Sequence, residues 1–142
     1  MSTISSSAIC KMNAATACAK IISSDGLKAW WIGKVEIKEC DNHWAATGTR
    51  MTWKADGGIF KARVIQDARP QYVEMEVSTP GADSIIRHTF EALDDGSTRY
   101  TKSVIPKWRS AFAKFISPLL NPLIGFMVSK EVKRAASFAE QN

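Results

Sequence analysis

The sequence predicts an α+β fold: a curved antiparallel sheet of about seven strands wrapped around one long C-terminal helix, with two short helices after the first strand. Three observations carry this reading. From Pro106 to Asn142 apolar residues recur at helical spacing. Ahead of that stretch, six segments in succession alternate apolar and polar residues and are separated by Asp-, Asn-, Gly- or Pro-bearing turns. At the N-terminus one alternating segment precedes an Ala-rich stretch and a Trp pair.

Ser2 to Met12 sets Ile4, Ser6, Ala8, Cys10 and Met12 on one face of a first strand. Asn13 is an N-cap for Ala14 to Ser23, a helix that turns Ala17, Ala19, Ile21 and Ile22 toward the sheet. Asp25 and Gly26 break it, and Leu27 to Ile32 forms a second short helix that carries Trp30 and Trp31 and ends at Gly33. Neighbours on a helix diverge by about 100°, so one indole faces the core and the other lies at its margin.

Lys34 to Cys40, His43 to Lys54, Ile59 to Ala68, Gln71 to Thr79, Ser84 to Leu93 and Thr98 to Ile105 are the six further strands. Their apolar faces hold Met51 and Trp53; Phe60, Ala62 and Val64; Val73, Met75 and Val77; Ile86, Phe90 and Ala92; Tyr100 and Val104. Trp44 falls with Arg50 and Lys54 on the outer face. Short turns make the sheet a meander. In the last helix Trp108, Phe112, Phe115, Ile116, Leu119, Leu120, Leu123, Met127 and Val132 step by threes and fours, a stripe expected to pack on the sheet. Pro118 and Pro122 are expected to kink the helix or split it near its middle, the alternative being a helix that begins after Pro118.

At 142 residues, 45% apolar and 23% charged, the chain is the size of one globular domain, residues 1–142, with no repeat or linker. Met1 to Met12 lacks the pattern of a signal peptide, which implies a cytoplasmic protein. Ala111 to Val128 has the apolar length of a membrane span, but Lys114, Asn121, Pro118 and Pro122 interrupt it, so no integral membrane association is expected. Cys10, Cys18 and Cys40 show no C-x-x-C spacing and read as reduced structural thiols. A net charge of +5 favours anionic partners, yet no basic run or nucleic-acid motif occurs, which argues against nucleic acid. Peripheral contact with an anionic membrane stays open, as does the oligomeric state.

Asp25 to Gly33 (Asp-Gly-Leu-Lys-Ala-Trp-Trp-Ile-Gly), Gly96 to Thr101 (Gly-Ser-Thr-Arg-Tyr-Thr) and the long last helix together resemble the START-like, helix-grip superfamily known as SRPBCC, and most closely its polyketide cyclase/dehydrase-type branch. The resemblance covers nearly the whole chain. It departs from that pattern at Ser97, where the superfamily has a second Gly, and in the two prolines of the last helix. It implies a helix-grip fold with a cavity between the sheet and the C-terminal helix. It leaves the activity open, because the superfamily includes lipid carriers, receptors, cyclases, oxygenase subunits and chaperone activators.

A metal site needs three or four converging ligands, and His43 and His88 are the only histidines, on separate strands; neither a metal nor a cofactor is expected. Gly57-Gly58 lacks the rest of a phosphate loop and is a hairpin turn. His88 shares the face of Ile86 and Phe90 and should point inward; a register slip of one would bring Arg87, Thr89 and Glu91 inward instead. The expected pocket is lined by Trp31, Met51, Trp53, Phe60, Val64, Met75, Ile86, His88, Phe90, Tyr100, Trp108, Phe112, Phe115, Ile116 and Leu119. The first functional reading is binding of a hydrophobic small molecule, a lipid or an aromatic polyketide-like compound. The second is a cyclase or dehydratase with His88 or Tyr100 as acid/base. The third is an interaction module whose basic outer helix face docks on an acidic protein or an anionic membrane.

Overall fold

The computed structural model describes residues 3–31, 35–40, 47–55, 58–78 and 82–141. In chain order these form β1 (Ile4–Cys10), α1 (Ala14–Ile21), α2 (Ser24–Trp30), β2 (Val35–Cys40), β3 (Arg50–Ala55), β4 (Gly58–Ala68), β5 (Tyr72–Ser78), β6 (Ala82–Ala92), β7 (Thr98–Trp108) and α3 (Ala111–Ala139). The seven strands make one antiparallel sheet in the order β1-β7-β6-β5-β4-β3-β2. Strands β2 to β7 follow one another as a meander, and β1 returns to pair with β7 at the edge. Register shifts between Ile37 and Glu39 and between Val64 and Gln66 add local bend to the sheet. The result is the helix-grip architecture: a curled sheet, two short helices and a long C-terminal helix.

Alternation decides which side chains enter. On β4 Phe60, Ala62 and Val64 are buried while Lys61 and Arg63 are exposed, and on β5 Val73, Met75 and Val77 are buried. Directly paired residues share a face, so His88 stands beside Val73 on one side and Lys102 on the other, and Phe90 stands beside Tyr100. Arg87 faces outward and pairs with Glu74 at 2.7 Å, as does Arg99 with Glu91 at 2.9 Å.

Local signals set the helix ends. Asn13 accepts from the Thr16 amide to cap α1, and Ser23 accepts from the Gly26 amide to cap α2. Asp25 and Gly26, expected to break the helix, instead form the first turn of α2. Gly26 is buried against the end of α1, where any Cβ would collide with the Lys20 and Ile21 carbonyls. In the turn before β7, Gly96 takes φ +85°, which glycine adopts without strain.

The start of the last helix differs from expectation. Pro106 to Trp108, read as helix, belong to β7, and Ser110 caps α3 by accepting from the Ala113 amide at 3.0 Å. Proline is tolerated there because the β1–β7 ladder starts at Ile4 opposite Val104, so beyond Val104 β7 pairs with β6 alone. Pro118 and Pro122 do not split the helix, which runs unbroken from Ala111 to Ala139. Pro118 leaves the Lys114 carbonyl without its backbone donor, and the Ser117 hydroxyl donates to that carbonyl at 2.8 Å.

The expected stripe of α3 does not face the sheet along its first half. Phe112, Phe115 and Leu119 are 71%, 82% and 79% exposed. Burial begins at Val128 and continues through Glu131, Val132, Ala135, Ala136 and Ala139, where α3 crosses β1, β7, α1 and α2. Small side chains on that face let the helix approach closely. Lys20 then donates to the Ala139 and Gln141 carbonyls at 2.9 and 2.7 Å, tying the C-terminal end of α3 to α1.

Candidate functional site

The inner face of the sheet and α2 hold a continuous chain of rings. Trp53 and Phe60, cross-strand partners on β3 and β4, stack at 5.7 Å. Trp31 sets its edge against both, at 5.5 and 5.1 Å, and meets Trp30 at 6.2 Å. Trp30 in turn lies 5.9 Å from His88, which stacks on Tyr100 at 5.9 Å, and Tyr100 stacks on Phe90 at 5.1 Å. Of the Trp pair, Trp30 is buried and Trp31 half-buried, as divergence on the helix requires.

Polar groups sit inside this aromatic lining. His88 Nδ1 and the Tyr100 hydroxyl are 2.8 Å apart, both fully buried. Burial, and then the charge of Lys102, push the His88 imidazole down to about pKa 3. Burial, and then Glu131, hold the Tyr100 phenol well above its usual range. Both groups are therefore neutral at pH 7. A neutral phenol needs an acceptor, and among the described residues His88 Nδ1 is the partner it meets; a Tyr100 hydroxyl donating there leaves the imidazole proton on Nε2. His88 Nε2 and Trp53 Nε1 are buried with no hydrogen-bond partner among the described residues.

Beside His88, the Lys102 ammonium is bound by Glu131 of α3 at 3.0 Å and lies 4.1 Å from the centroid of the Trp30 ring. One buried cation thus joins β7, α3 and α2. Desolvating such a pair is costly unless both partners stay in place.

Of the pocket residues expected from the sequence, Met51, Trp53, Phe60, Val64, Met75, His88, Phe90 and Tyr100 are buried together on the inner face, with Trp31 and Ile86 half-buried next to them. Trp108 is half-buried at the far end of β7, opposite Ala82, and Ile116 is half-buried on α3. Phe112, Phe115 and Leu119 stand apart from this group, exposed on α3. His43 and Trp44 lie outside the described residues. Lys102 and Glu131 were missed. Lys102 falls on the inward alternation between Tyr100 and Val104, and Glu131 falls at helical spacing between Val128 and Ala135, so both had a pattern signal that their charge masked.

Burial raises the thiols of Cys10 and Cys18 to about 11, aided for Cys10 by Glu140 and opposed for Cys18 by Arg69. Neither is in a disulfide. Among the described residues no three His, Cys, Asp or Glu side chains converge as a metal would need.

No described protein family matches this chain, and no curated protein does. Solved structures do share its shape. Protein CV1439 from Chromobacterium violaceum is 18% identical with a TM-score of 0.70, covering 100% of both chains. Protein BH1534 from Bacillus halodurans is 15% identical with a TM-score of 0.75 over 99% of this chain and 98% of its own. TTHA0849 from Thermus thermophilus is 12% identical with a TM-score of 0.69 over 97% of each. At these identities what is shared is the fold, so the chain has the helix-grip architecture of these proteins from end to end.

Proposed function

We propose that this protein binds a hydrophobic small molecule, a lipid or an aromatic polyketide-like compound, between the sheet and α3, and that the ligand carries an oxygen acceptor. One observation carries the reading: two ring nitrogens, Trp53 Nε1 and His88 Nε2, are buried in an aromatic surround with no partner among the described residues, and both are donors when Tyr100 donates to His88 Nδ1. Each such orphan costs about 1–3 kcal/mol, which a ligand carbonyl or hydroxyl would offset. The half-buried Trp31, Ile86 and Val104 beside the core supply apolar contact for the rest of the molecule. The likeness of the Asp25 to Gly33 and Gly96 to Thr101 runs to the SRPBCC superfamily, with its hydrophobic cavity, supports the same reading. Buried Cys10 and Cys18, which form no disulfide, suit the reducing cytoplasm.

A cyclase or dehydratase would use the same His88 and Tyr100. An imidazole held near pKa 3 is a poor proton acceptor at neutral pH, and this favours binding over turnover.

Native mass spectrometry of the gently purified protein, followed by identification of released compounds, tests the proposal. A near-stoichiometric apolar compound bearing oxygen is expected. Trp53→Phe keeps an aromatic side chain and removes the N–H, and should weaken binding about tenfold. A protein with no adduct that also takes up no apolar probe would contradict the reading. Probe uptake lost in Phe115→Asp, on the exposed helix face, would contradict it as well, because the probe would then be held outside the fold.

A further inference from the structure

We propose that the first half of α3 is a docking surface for an anionic phospholipid bilayer. Phe112, Phe115, Leu119, Leu123 and Phe126 recur at spacings of three and four and so share one face; the last two are 56% and 59% exposed. The stripe is about 21 Å long at 1.5 Å per residue. By length and composition α3 is apolar enough to cross a membrane, and only 6% of its apolar window is buried in the protein. From Val128 onward, however, the same helix is built into the core, which anchors it to the domain and leaves the first half to lie on a surface rather than to span one.

Charge selects the occupant. No Asp or Glu occurs between Asp95 and Glu131. Glu131 is bound to Lys102, and Glu140 accepts from the Lys11 amide. The apolar face continues directly into Lys130, Lys133 and Arg134, and the Lys130 ammonium lies 4.9 Å from the Phe126 ring. At the other end stand Lys107, Arg109 and Lys114, of which Arg109 is bound by Asp83 at 2.7 Å. Both ends of the stripe are therefore net basic. A second copy of the chain, stacked parallel or antiparallel, would place cations against cations. An anionic bilayer meets both ends with opposite charge and takes the phenylalanines at its acyl boundary. This surface is separate from the interior and does not depend on what binds there.

The test is co-sedimentation with phosphatidylcholine vesicles with and without about one-third phosphatidylglycerol. The protein is expected to pellet with the anionic vesicles, and release is expected on raising salt from about 0.1 M to about 0.5 M. Phe115→Asp with Leu119→Asp should lower partition about tenfold or more while leaving thermal unfolding unchanged, since both side chains are exposed. Replacing Lys130, Lys133 and Arg134 with Gln should lower it about a hundredfold, about fivefold per charge removed. Absence of pelleting, equal pelleting with neutral vesicles, or unchanged partition of the Asp variant would each overturn the proposal. So would light scattering that shows a dimer which the Asp variant splits, for the stripe would then belong to a second copy.

Discussion

Lys102 is 2% exposed, and replacing Glu131 with Leu leaves its ammonium against a Trp ring without its carboxylate partner. At 3.0 Å the pair attracts by about 5 kcal/mol at an effective dielectric near 20, and most of that offsets the desolvation of the two ions. Removing one partner keeps the desolvation and discards the attraction, so Glu131→Leu should cost about 3–5 kcal/mol, and Lys102→Met a similar amount. In a domain this size that lowers Tm by about 10 °C or more. The double variant removes both charges and fills the space with apolar atoms; it should lie within about 1 kcal/mol of the parent or above it. Urea unfolding followed by Trp fluorescence measures all four corners, with Trp30 as a reporter in direct contact. Single variants that each cost under about 1 kcal/mol, or a double variant that costs the sum of the singles, would refute the claim that the two groups act as one buried unit.

Stability should also depend on pH through His88. Its folded pKa, about 3, lies below the 6.5 of the unfolded chain, so the unfolded chain binds the extra proton between those values. Stability from this group is full above about pH 6.5 and falls by about 1.4 kcal/mol per unit below it, about 2 kcal/mol at pH 5. His88→Gln should flatten that slope, and a slope equal to the parent's between pH 7 and 5 would assign it to other groups. Cys10 and Cys18, with thiols near 11, should resist iodoacetamide at pH 7.5 and react once unfolded; peptide mass spectrometry reads each site, and rapid labelling of either in the native state would show it is accessible. Gly26→Ala forces a Cβ into the Lys20 and Ile21 carbonyls and should cost about 1–3 kcal/mol or more in chemical denaturation. A neutral result there would mean that α1 and α2 are not held as closely as the structure has them.

The sheet was legible because alternation and turn residues agree along β4 to β7, and the inward register of His88 followed from Ile86 and Phe90. Trp30 and Trp31 were equally plain, since helical divergence allows only one of two adjacent indoles to enter fully. The end of β7 was not. Pro106 resembles a helix start, and the Ser110 hydroxyl, the cap that actually starts α3, is a weaker mark. The orientation of α3 was hidden for another reason. Its first half is apolar on nearly every side, so spacing alone does not choose a face, and the face that docks carries small side chains such as Ala135, Ala136 and Ala139 rather than the bulky stripe. Lys102 and Glu131 come together from positions 29 residues apart, on a strand and a helix. Single-sequence patterns mark each as a charge and say nothing of the partner that makes burial tolerable.

The interior donors are where the proposed function is most directly exposed to test. In a ¹H–¹⁵N correlation spectrum the Trp53 indole N–H should move downfield, saturating at one equivalent, as a planar aromatic ketone is titrated in. The Trp30 indole, already donating to the Ile21 carbonyl at 3.3 Å, should move little and serves as the reference. A Trp53 resonance that stays in place while signals of Phe112 to Phe126 shift would contradict the account, and would put apolar ligands on the outer face of α3 instead of inside the fold.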